Sequence, residues 1–345
     1  MHVVRADARI RRGSRLPVRR LAGALVACGL LLLAGCSGGG DASSSTAAGP
    51  GFPVTVPGKF GAATVPAKPV RVVALSWTDA DLALGLGVVP VGVGKVPTEA
   101  TGIEPWTQQK ITELHGAPPT VLDTSTDDPL EAIAALAPDV ILATKDYNLD
   151  RSYAQLAKIA PVITYQQGPN VDSWQDTTRR VSTALGTQDR TEPLIDATQK
   201  AISDAAAAHA GLRDKSYTFI VGPSNSGFYA VNSTQDVSAQ FLGALGMRIN
   251  PAMAADPPSS IPGRTQLGWE HVADVNADVV LATGSPSGLR TLATEPGFAT
   301  VPAVATGHYV PLDAEQAQAI AFPSPVSLQW AVGNVVPQVG RAVGA

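Results

Sequence analysis

Two similar segments lie far apart in this chain, residues 128–144 (DPLEAIAALAPDVILAT) and residues 267–283 (LGWEHVADVNADVVLAT). Both read as a short helix, a turn that contains an aspartate (Asp139 or Asp278) and an apolar run. A short apolar run of this kind is typical of a strand that is covered on both faces of a sheet. The recurrence therefore predicts two similarly built α/β lobes, each with one copy.

The rest of the chain alternates between the same two kinds of segment. β-branched runs predict strands at residues 70–75, 88–93, 140–143, 162–165, 218–221, 279–282 and 309–311. Helical patterns lie between them at residues 79–86, 130–136, 153–159, 173–185, 237–245, 270–275 and 316–338. Such alternation favours βαβ units. We expect two Rossmann-like lobes with mostly parallel sheets.

One longer helix separates the lobes. Residues 191–212 combine strong helix formers with an approximate i, i+3/i+4 apolar stripe. A helix of that length spans about 33 Å. It is expected to join an N-terminal lobe at residues 56–190 stiffly to a C-terminal lobe at residues 213–345.

The first residues predict export. Residues 1–35 contain a basic start, a short apolar run and small residues, and Cys36 follows in the sequence LAGC. This order is typical of a signal peptide, and its ending resembles a bacterial lipobox, which implies a diacylglyceryl group on Cys36. Residues 36–55 are then expected to form a flexible tether. A plain signal peptide with an incidental cysteine stays open, as does the choice between the general and the twin-arginine export routes.

Charge and composition disfavour several classes of protein. Removal of residues 1–35 takes seven of the 25 basic residues and one of the 29 acidic ones, which leaves a net charge near −10. Such a surface disfavours nucleic acid as a partner. The histidines are scattered and Cys28 lies inside the predicted signal, so we expect neither a disulfide nor a direct metal site. The absence of hydrolase and phosphate-loop motifs predicts a protein without catalytic residues, and we expect a monomer.

Both repeats begin with a glutamate, Glu131 in the first and Glu270 in the second. The first repeat has the pattern of a good helix start, with Asp128 at the N-cap, Pro129 at N1 and Glu131 at N3. The equivalent N-cap position in the second repeat holds Leu267, which has no capping oxygen. Helix capping therefore explains one glutamate but not the recurrence.

The order of lipobox, tether, KPVRVVALSWTDADLALGLGVVPVGVG, the two repeats and the long helix resembles the class III substrate-binding proteins of ABC importers. That family carries ferric siderophores, haem or vitamin B12, and the resemblance spans about residues 60–340. The closing segment VPAVATGHYVPLDAEQAQAIAFPSPVSLQ is similar to that of actinobacterial and Gram-positive ferric-siderophore lipoproteins. The resemblance also implies that one glutamate on each lobe docks on arginines of the permease dimer, and Glu131 and Glu270 match those positions.

Ligands of open parallel sheets bind beyond the carboxyl ends of the strands. Candidate ligand-binding residues at or near predicted strand ends are Trp77, Lys145, Tyr147, Tyr229 and Arg264. Aromatic and cationic groups of this kind suit a metal complex. Each candidate has an alternative: Trp77 at the edge of the core, Lys145 and Tyr147 in a solvated loop, Arg264 in solvent, and Tyr229 in a hairpin strand that begins near Phe228.

The resemblance implies a lipid-anchored protein on the outer face of the cell membrane. It would capture a ferric-siderophore complex, hold no resident cofactor, and deliver the complex to an ABC permease with its ATPase. A haem or corrinoid ligand stays open, and so does an exported enzyme or receptor on the same scaffold.

Overall fold

The computed structural model describes residues 51–169 and 171–344. The predicted signal peptide, Cys36 and most of the predicted tether lie outside this part of the chain. A β-hairpin, β1 (Val54–Gly58) and β2 (Gly61–Val65), opens the described part. Phe52 and Val54 already pack on the core of the first lobe, so the folded region begins inside the last residues of the predicted tether.

Five short parallel strands form the sheet of the N-terminal lobe, in the order β5-β4-β3-β6-β7. Their bounds are Val72–Ala74 (β3), Gly92–Gly94 (β4), Thr120–Leu122 (β5), Val140–Ala143 (β6) and Val162–Thr164 (β7). The helices between and after them are Trp77–Gly85 (α1), Pro105–Glu113 (α2), Leu130–Ala135 (α3), Leu149–Leu156 (α4) and Trp174–Leu185 (α5). Strand order reverses between β3 and β6, and such a switch point opens a crevice at the carboxyl ends of the strands.

The C-terminal lobe has a mixed sheet, in the order β11-β9-β8-β12-β13, with β10 paired to β8. Its strands are Ser216–Ser224 (β8), Gly227–Val231 (β9), Arg248–Ile249 (β10), Arg264–Leu267 (β11), Val279–Thr283 (β12) and Tyr309–Pro311 (β13). Strands β8, β10, β12 and β13 are parallel, whereas β9 is antiparallel to both β8 and β11. The predicted two-lobed α/β fold with mostly parallel sheets is therefore confirmed, with one antiparallel excursion.

The connecting helix, α6, spans Gln188–Ala208, so it begins three residues before and ends four residues before the predicted bounds. A short 3₁₀ helix, Ala210–Leu212, follows it. Leu194 packs on the core of the N-terminal lobe, while Ile202 and Ala205 belong to the core of the C-terminal lobe. The helix is therefore packed on both lobes.

The helices of the second lobe are mostly short. They are Val237–Ala244 (α7), Pro251–Ala255 (α8), Pro286–Thr294 (α9), Pro296–Ala299 (α10), Pro302–Ala305 (α11), Ala314–Ala321 (α12), Pro325–Asn334 (α13) and Val336–Ala342 (α14). The single helix predicted at residues 316–338 is thus wrong, because Pro323 and Pro325 interrupt it and Ser324 caps a new helix. The second repeat forms a 3₁₀ helix at Trp269–Val275 where an α-helix was predicted.

Helix α13 also ties the two lobes together. The Ser324 hydroxyl at its N-cap donates a 2.9 Å hydrogen bond to the buried carboxylate of Asp81 on α1. Trp330 packs against Trp106 of α2, with ring centroids 4.8 Å apart. The lobes are therefore joined by packing and by a buried polar contact as well as by α6.

The aspartates of the two repeats have the same structural role. The Asp139 carboxylate accepts from the backbone N–H groups of Val70 and Arg71, just before β3, at 2.9 and 3.0 Å. The Asp278 carboxylate accepts from the backbone N–H of Ser216, the first residue of β8, at 2.7 Å. Hydrogen bonds from the Ser216 backbone and hydroxyl lower the pKa of Asp278 to about 2. Each aspartate thus holds the start of the neighbouring strand, which explains why this part of the repeated segment recurs.

No helix of the described residues is both long and apolar enough to cross a membrane.

Candidate functional site

Two adjoining cavities lie at the carboxyl ends of the strands. The first, about 270 Å³, is lined by residues that follow β3, β4 and β6, including Trp77, Lys95 and Lys145. The second, about 630 Å³, lies between the lobes and is lined from the C-terminal side by residues that include Arg264. Tyr147 and Phe322 line both, so the cavities form one interlobe crevice. Its size suits a compact small molecule.

Trp77 stands at the wall of this crevice, directly after the N-cap residue of α1. The Ser76 side chain caps α1 by accepting from the Asp79 backbone N–H at 3.0 Å, and this fixes the start of the helix. The indole meets the Phe322 ring edge to face, with centroids 5.4 Å apart. Its Nε1 has no hydrogen-bond partner among the described residues, which leaves an unused donor at the wall.

Lys145 lies at the floor of the crevice and is only 4% exposed. Its Nζ is 3.5 Å from the backbone oxygen of Asp172. Burial lowers the pKa of Lys145, while the carboxylates of Asp79 and Asp172 act in the opposite direction. The solvated loop that the sequence allowed for Lys145 is therefore wrong, because the side chain is buried.

Tyr147 projects into the crevice from the N-terminal lobe, and its exposed fraction is 63%. Across the crevice, Arg264 is half-buried at the start of β11. Its Nε lies 3.5 Å from the carboxylate of Asp236, which is buried at the N-cap of α7. Gly263 has a positive φ of 77° and a Cβ there would approach the Asp236 Cβ to 3.0 Å, so glycine lets these two segments come together.

Tyr229 lies elsewhere. It sits on β9, opposite Gln266 of β11 and Val221 of β8, and lines neither cavity. The neighbouring Phe228 is buried against Trp269. The hairpin strand that the sequence also allowed is what forms here, and the structure does not bring Tyr229 to the other candidates.

Sequence reasoning missed Phe322 and Asp236 as residues of the crevice. The breaker sequence Phe322-Pro323-Ser324, inside the single helical pattern predicted at residues 316–338, was a signal for a turn that carries an aromatic ring. Asp236 is recognisable as a helix N-cap, but its pairing with a distant arginine has no local signature. Long-range ion pairs of this kind depend on the fold.

Two carboxyl groups meet at the crevice wall, where Asp146 lines the first cavity. Burial, then the charge of Asp128, raises the pKa of Asp146 to about 7. Both carboxylate oxygens of Asp128 are buried without a hydrogen-bond partner among the described residues. The predicted capping box is therefore wrong: Pro129 occupies the N-cap of α3 without a side-chain bond, because the Asp128 side chain lies in the interior beside Asp146.

The two repeated glutamates are both exposed at helix starts. Glu131 lies in the first turn of α3, and Glu270 in the first turn of the 3₁₀ helix after β11. Neither carboxylate makes a hydrogen bond or ion pair with another of the described residues. Because β11 runs parallel to β8, Glu270 lies at the same edge of its sheet as the carboxyl ends, and α3 places Glu131 at the equivalent edge. Among the described residues, the local role left for either side chain is that of an acid in the first turn of a helix.

The described residues contain no group of three or more His, Cys, Asp or Glu side chains placed to hold a metal ion.

A family model described as periplasmic binding protein matches residues 72–316. Among known proteins, the probable siderophore-binding lipoprotein YfiY of Bacillus subtilis is 29% identical over 140 residues, which are 41% of this chain and 40% of YfiY. The Fe(3+) dicitrate-binding periplasmic protein FecB of Escherichia coli is 25% identical over 225 residues, which are 65% of this chain and 70% of FecB. The matched part thus spans about two fifths of the first relative and more of the second.

Solved structures resemble the chain over both lobes. A periplasmic solute binding protein from Mycobacterium smegmatis aligns with a TM-score of 0.72 at 28% identity, over 84% of this chain and 99% of that one. PiaA from Streptococcus pneumoniae, in complex with ferrichrome, aligns with a TM-score of 0.70 at 28% identity, over 84% of this chain and 98% of PiaA.

Proposed function

Because the chain belongs to the periplasmic binding protein family, we propose that it captures a ferric-siderophore complex and delivers it to an ABC permease. The observation that carries this proposal is the interlobe crevice. Its walls bring the aromatic rings of Trp77, Tyr147 and Phe322 together with the cationic groups of Lys145 and Arg264. Rings supply apolar contact area for the organic shell of an iron complex, and the cations supply donors for its oxygens.

The same crevice makes capture a better reading than catalysis. Most carboxylates near the crevice are engaged within the fold: Asp79 accepts from the Thr144 backbone N–H at 3.0 Å, and Asp236 pairs with Arg264. Asp146, which lines the first cavity, accepts from the Asn148 backbone N–H at 2.7 Å with one oxygen, and its other oxygen has no partner among the described residues. Rings and engaged carboxylates of this kind favour capture of a ligand over its chemical conversion.

Delivery is assigned to Glu131 and Glu270. Each is an exposed carboxylate that the fold does not use, and each lies at the crevice edge of its own lobe. Arginines of a permease would pair with such carboxylates in a bidentate geometry that fixes orientation. With one such glutamate on each lobe, the two contacts would orient the open side of the crevice toward the permease.

Anchoring is assigned to Cys36, which lies outside the described residues. A diacylglyceryl group on this cysteine would hold the protein at the outer face of the cell membrane, with residues 37–51 as the tether. Replacing Cys36 by Ala should release the protein from the membrane fraction or leave the precursor uncleaved. A cleaved Cys36→Ala protein that still sediments with membranes contradicts lipidation at this residue.

The test of capture is a titration of the purified protein with ferric siderophores, haem and cobalamin, followed by tryptophan fluorescence. We expect saturable quenching by at least one ferric siderophore, without chemical change of the ligand. Trp77→Phe should weaken binding, whereas Trp330→Phe, a matched change at the α2–α13 contact, should not.

Each other outcome of the titration points elsewhere. Quenching by haem or cobalamin alone moves the assignment to a haem or corrinoid carrier. Turnover of any ligand moves it to an enzyme, and a lack of binding by every compound contradicts the proposal.

A further inference from the structure

Each cation among the described residues that line the crevice has an acidic neighbour. Among the described residues that line its two cavities, the cations are Lys95, Lys145 and Arg264. Lys95 lies 3.7 Å from the exposed carboxylate of Asp123. Lys145 is buried within the electrostatic influence of the Asp79 and Asp172 carboxylates, which raise its pKa against the effect of burial, and Arg264 faces Asp236 at 3.5 Å.

These pairs differ in how firmly they are held. The Lys95–Asp123 pair is exposed on both sides, so solvent already screens it. The Arg264–Asp236 pair is largely dry, with the side chains 21% and 6% exposed. Asp236 is fixed further because its other oxygen accepts from the Ser238 backbone N–H at 2.9 Å and also from the Ser238 hydroxyl. Of the two crevice cations with a carboxylate within 4 Å, Arg264 is therefore the one whose partner is buried and fixed in place.

Ferric siderophores fall into charge classes. Three hydroxamates carry one negative charge each and balance Fe³⁺, so a ferric trihydroxamate is uncharged, whereas a ferric tris-catecholate is strongly anionic. Moving an anion from water into a crevice whose cations already have acidic neighbours costs its hydration and gains only a weakened ion-pair attraction. A neutral complex has no such cost and still uses the donors of Lys145 and Arg264 and the faces of the rings.

Resting on the proposed function, we propose that Asp236 is a selectivity residue. Because its carboxylate offsets the charge of Arg264, the crevice binds an uncharged ferric complex of the trihydroxamate class more tightly than an anionic catecholate complex.

One substitution can remove the charge of Asp236 with little change of structure. Asp236→Asn keeps a side-chain oxygen for the α7 N-cap, since Asn and Asp cap equally well, and removes the charge that faces Arg264. A matched control is Asp214→Asn. Asp214 pairs with Arg248 at 3.7 Å before the amino end of β8, at the opposite edge of the sheet from the crevice, and its positive φ of 64° is one that Asn tolerates.

The experiment measures dissociation constants of the wild type, Asp236→Asn and Asp214→Asn for two probes, ferrichrome and a ferric tris-catecholate, at fixed ionic strength. The wild type should prefer ferrichrome by about tenfold or more, and Asp236→Asn should shift the ratio of the two constants toward the catecholate by about tenfold, the scale of one charge-assisted hydrogen bond. Asp214→Asn should leave the ratio unchanged.

The outcomes separate the two proposals. Equal or tighter binding of the catecholate by the wild type overturns the selectivity inference and leaves capture of ferric siderophores standing. An unchanged ratio in a folded Asp236→Asn protein also overturns it. If neither probe nor any other ferric siderophore binds the wild type, the proposed function and the inference fail together.

Discussion

A buried glutamate at the junction of the lobes should make the stability of this protein fall as pH rises. Glu104 at the N-cap of α2 is 1% exposed, and neither carboxylate oxygen has a hydrogen-bond partner among the described residues. Burial, then the charge of Asp81, raises the pKa of Glu104 to about 9. Asp81 accepts bonds from Trp106 and Ser324, so we expect Asp81 to hold the negative charge at neutral pH and Glu104 to be protonated.

The sign and size follow from proton linkage. An unperturbed glutamate has a pKa of 4.5, so between that value and about 9 the folded protein holds a proton that the unfolded chain has released. Stability therefore falls with rising pH by at most about 1.4 kcal/mol per pH unit, or about 4 kcal/mol from pH 5 to pH 8. Burial also raises the pKa of Asp81, to about 6, which adds a slope of the same sign below that pH.

The variant is Glu104→Gln, whose amide has the shape of the protonated carboxyl group but does not titrate. Relative to this variant, the wild type should lose about 2–4 kcal/mol of unfolding free energy from pH 5 to pH 8. Urea unfolding of both proteins at several pH values measures the difference. Glu113→Gln on the same helix is the matched control: hydrogen bonds from Lys110 and Gln109 lower the pKa of this exposed carboxylate, so its difference from wild type should not change over that range.

A difference between wild type and Glu104→Gln that is constant with pH would refute a protonated Glu104. If the wild type instead became more stable relative to the variant as pH rises, the predicted direction of the pH dependence would be refuted.

Two further predictions concern the crevice. Trp77→Ala, Tyr147→Ala and Arg264→Ala should each weaken binding of the ferric complex, by about thirtyfold where the side chain is a hot spot. Tyr229→Ala should bind as the wild type does. Calorimetric titration of the four variants measures these affinities, and weaker binding by Tyr229→Ala alone would contradict the prediction. Closure of the lobes on ligand should be small, because α6 packs on both cores and Ser324 bonds to Asp81 across the junction. A large drop in the radius of gyration by small-angle scattering on ligand addition would contradict that stiffness.

The parts of the fold that were predictable from the sequence are those set by local periodicity. Strands β6 and β13 have the predicted bounds, because a buried parallel strand is a short apolar run between turn residues. The recurring Asp139 and Asp278 were understandable as turn chemistry, although their bonds to the start of a distant strand appear only in the fold.

The errors arose where a side chain had two possible partners. The sequence around Asp128 is typical of a helix N-cap, but its carboxyl group lies in the interior beside Asp146. The rules for helix starts do not predict such a contact. The sequence allowed a solvated loop for Lys145, whereas its side chain is buried in the crevice wall within reach of the charges of Asp79 and Asp172. These choices depend on contacts between segments far apart in the chain, for which one sequence carries no periodic signal.

The central claim is that this chain captures a ferric siderophore and delivers it through two glutamates. Uptake of radioactive iron, supplied as the ferric siderophore, into proteoliposomes with the permease and its ATPase tests that claim most directly. The double variant Glu131→Ala with Glu270→Ala should bind the complex like the wild type, while uptake should fall by about tenfold or more, because each lost carboxylate leaves a permease arginine unpaired. Glu113→Ala with Glu192→Ala removes the same charge from exposed positions elsewhere and should support normal uptake. Uptake that is undiminished with the Glu131/Glu270 variant, or that does not require the protein at all, would contradict the account.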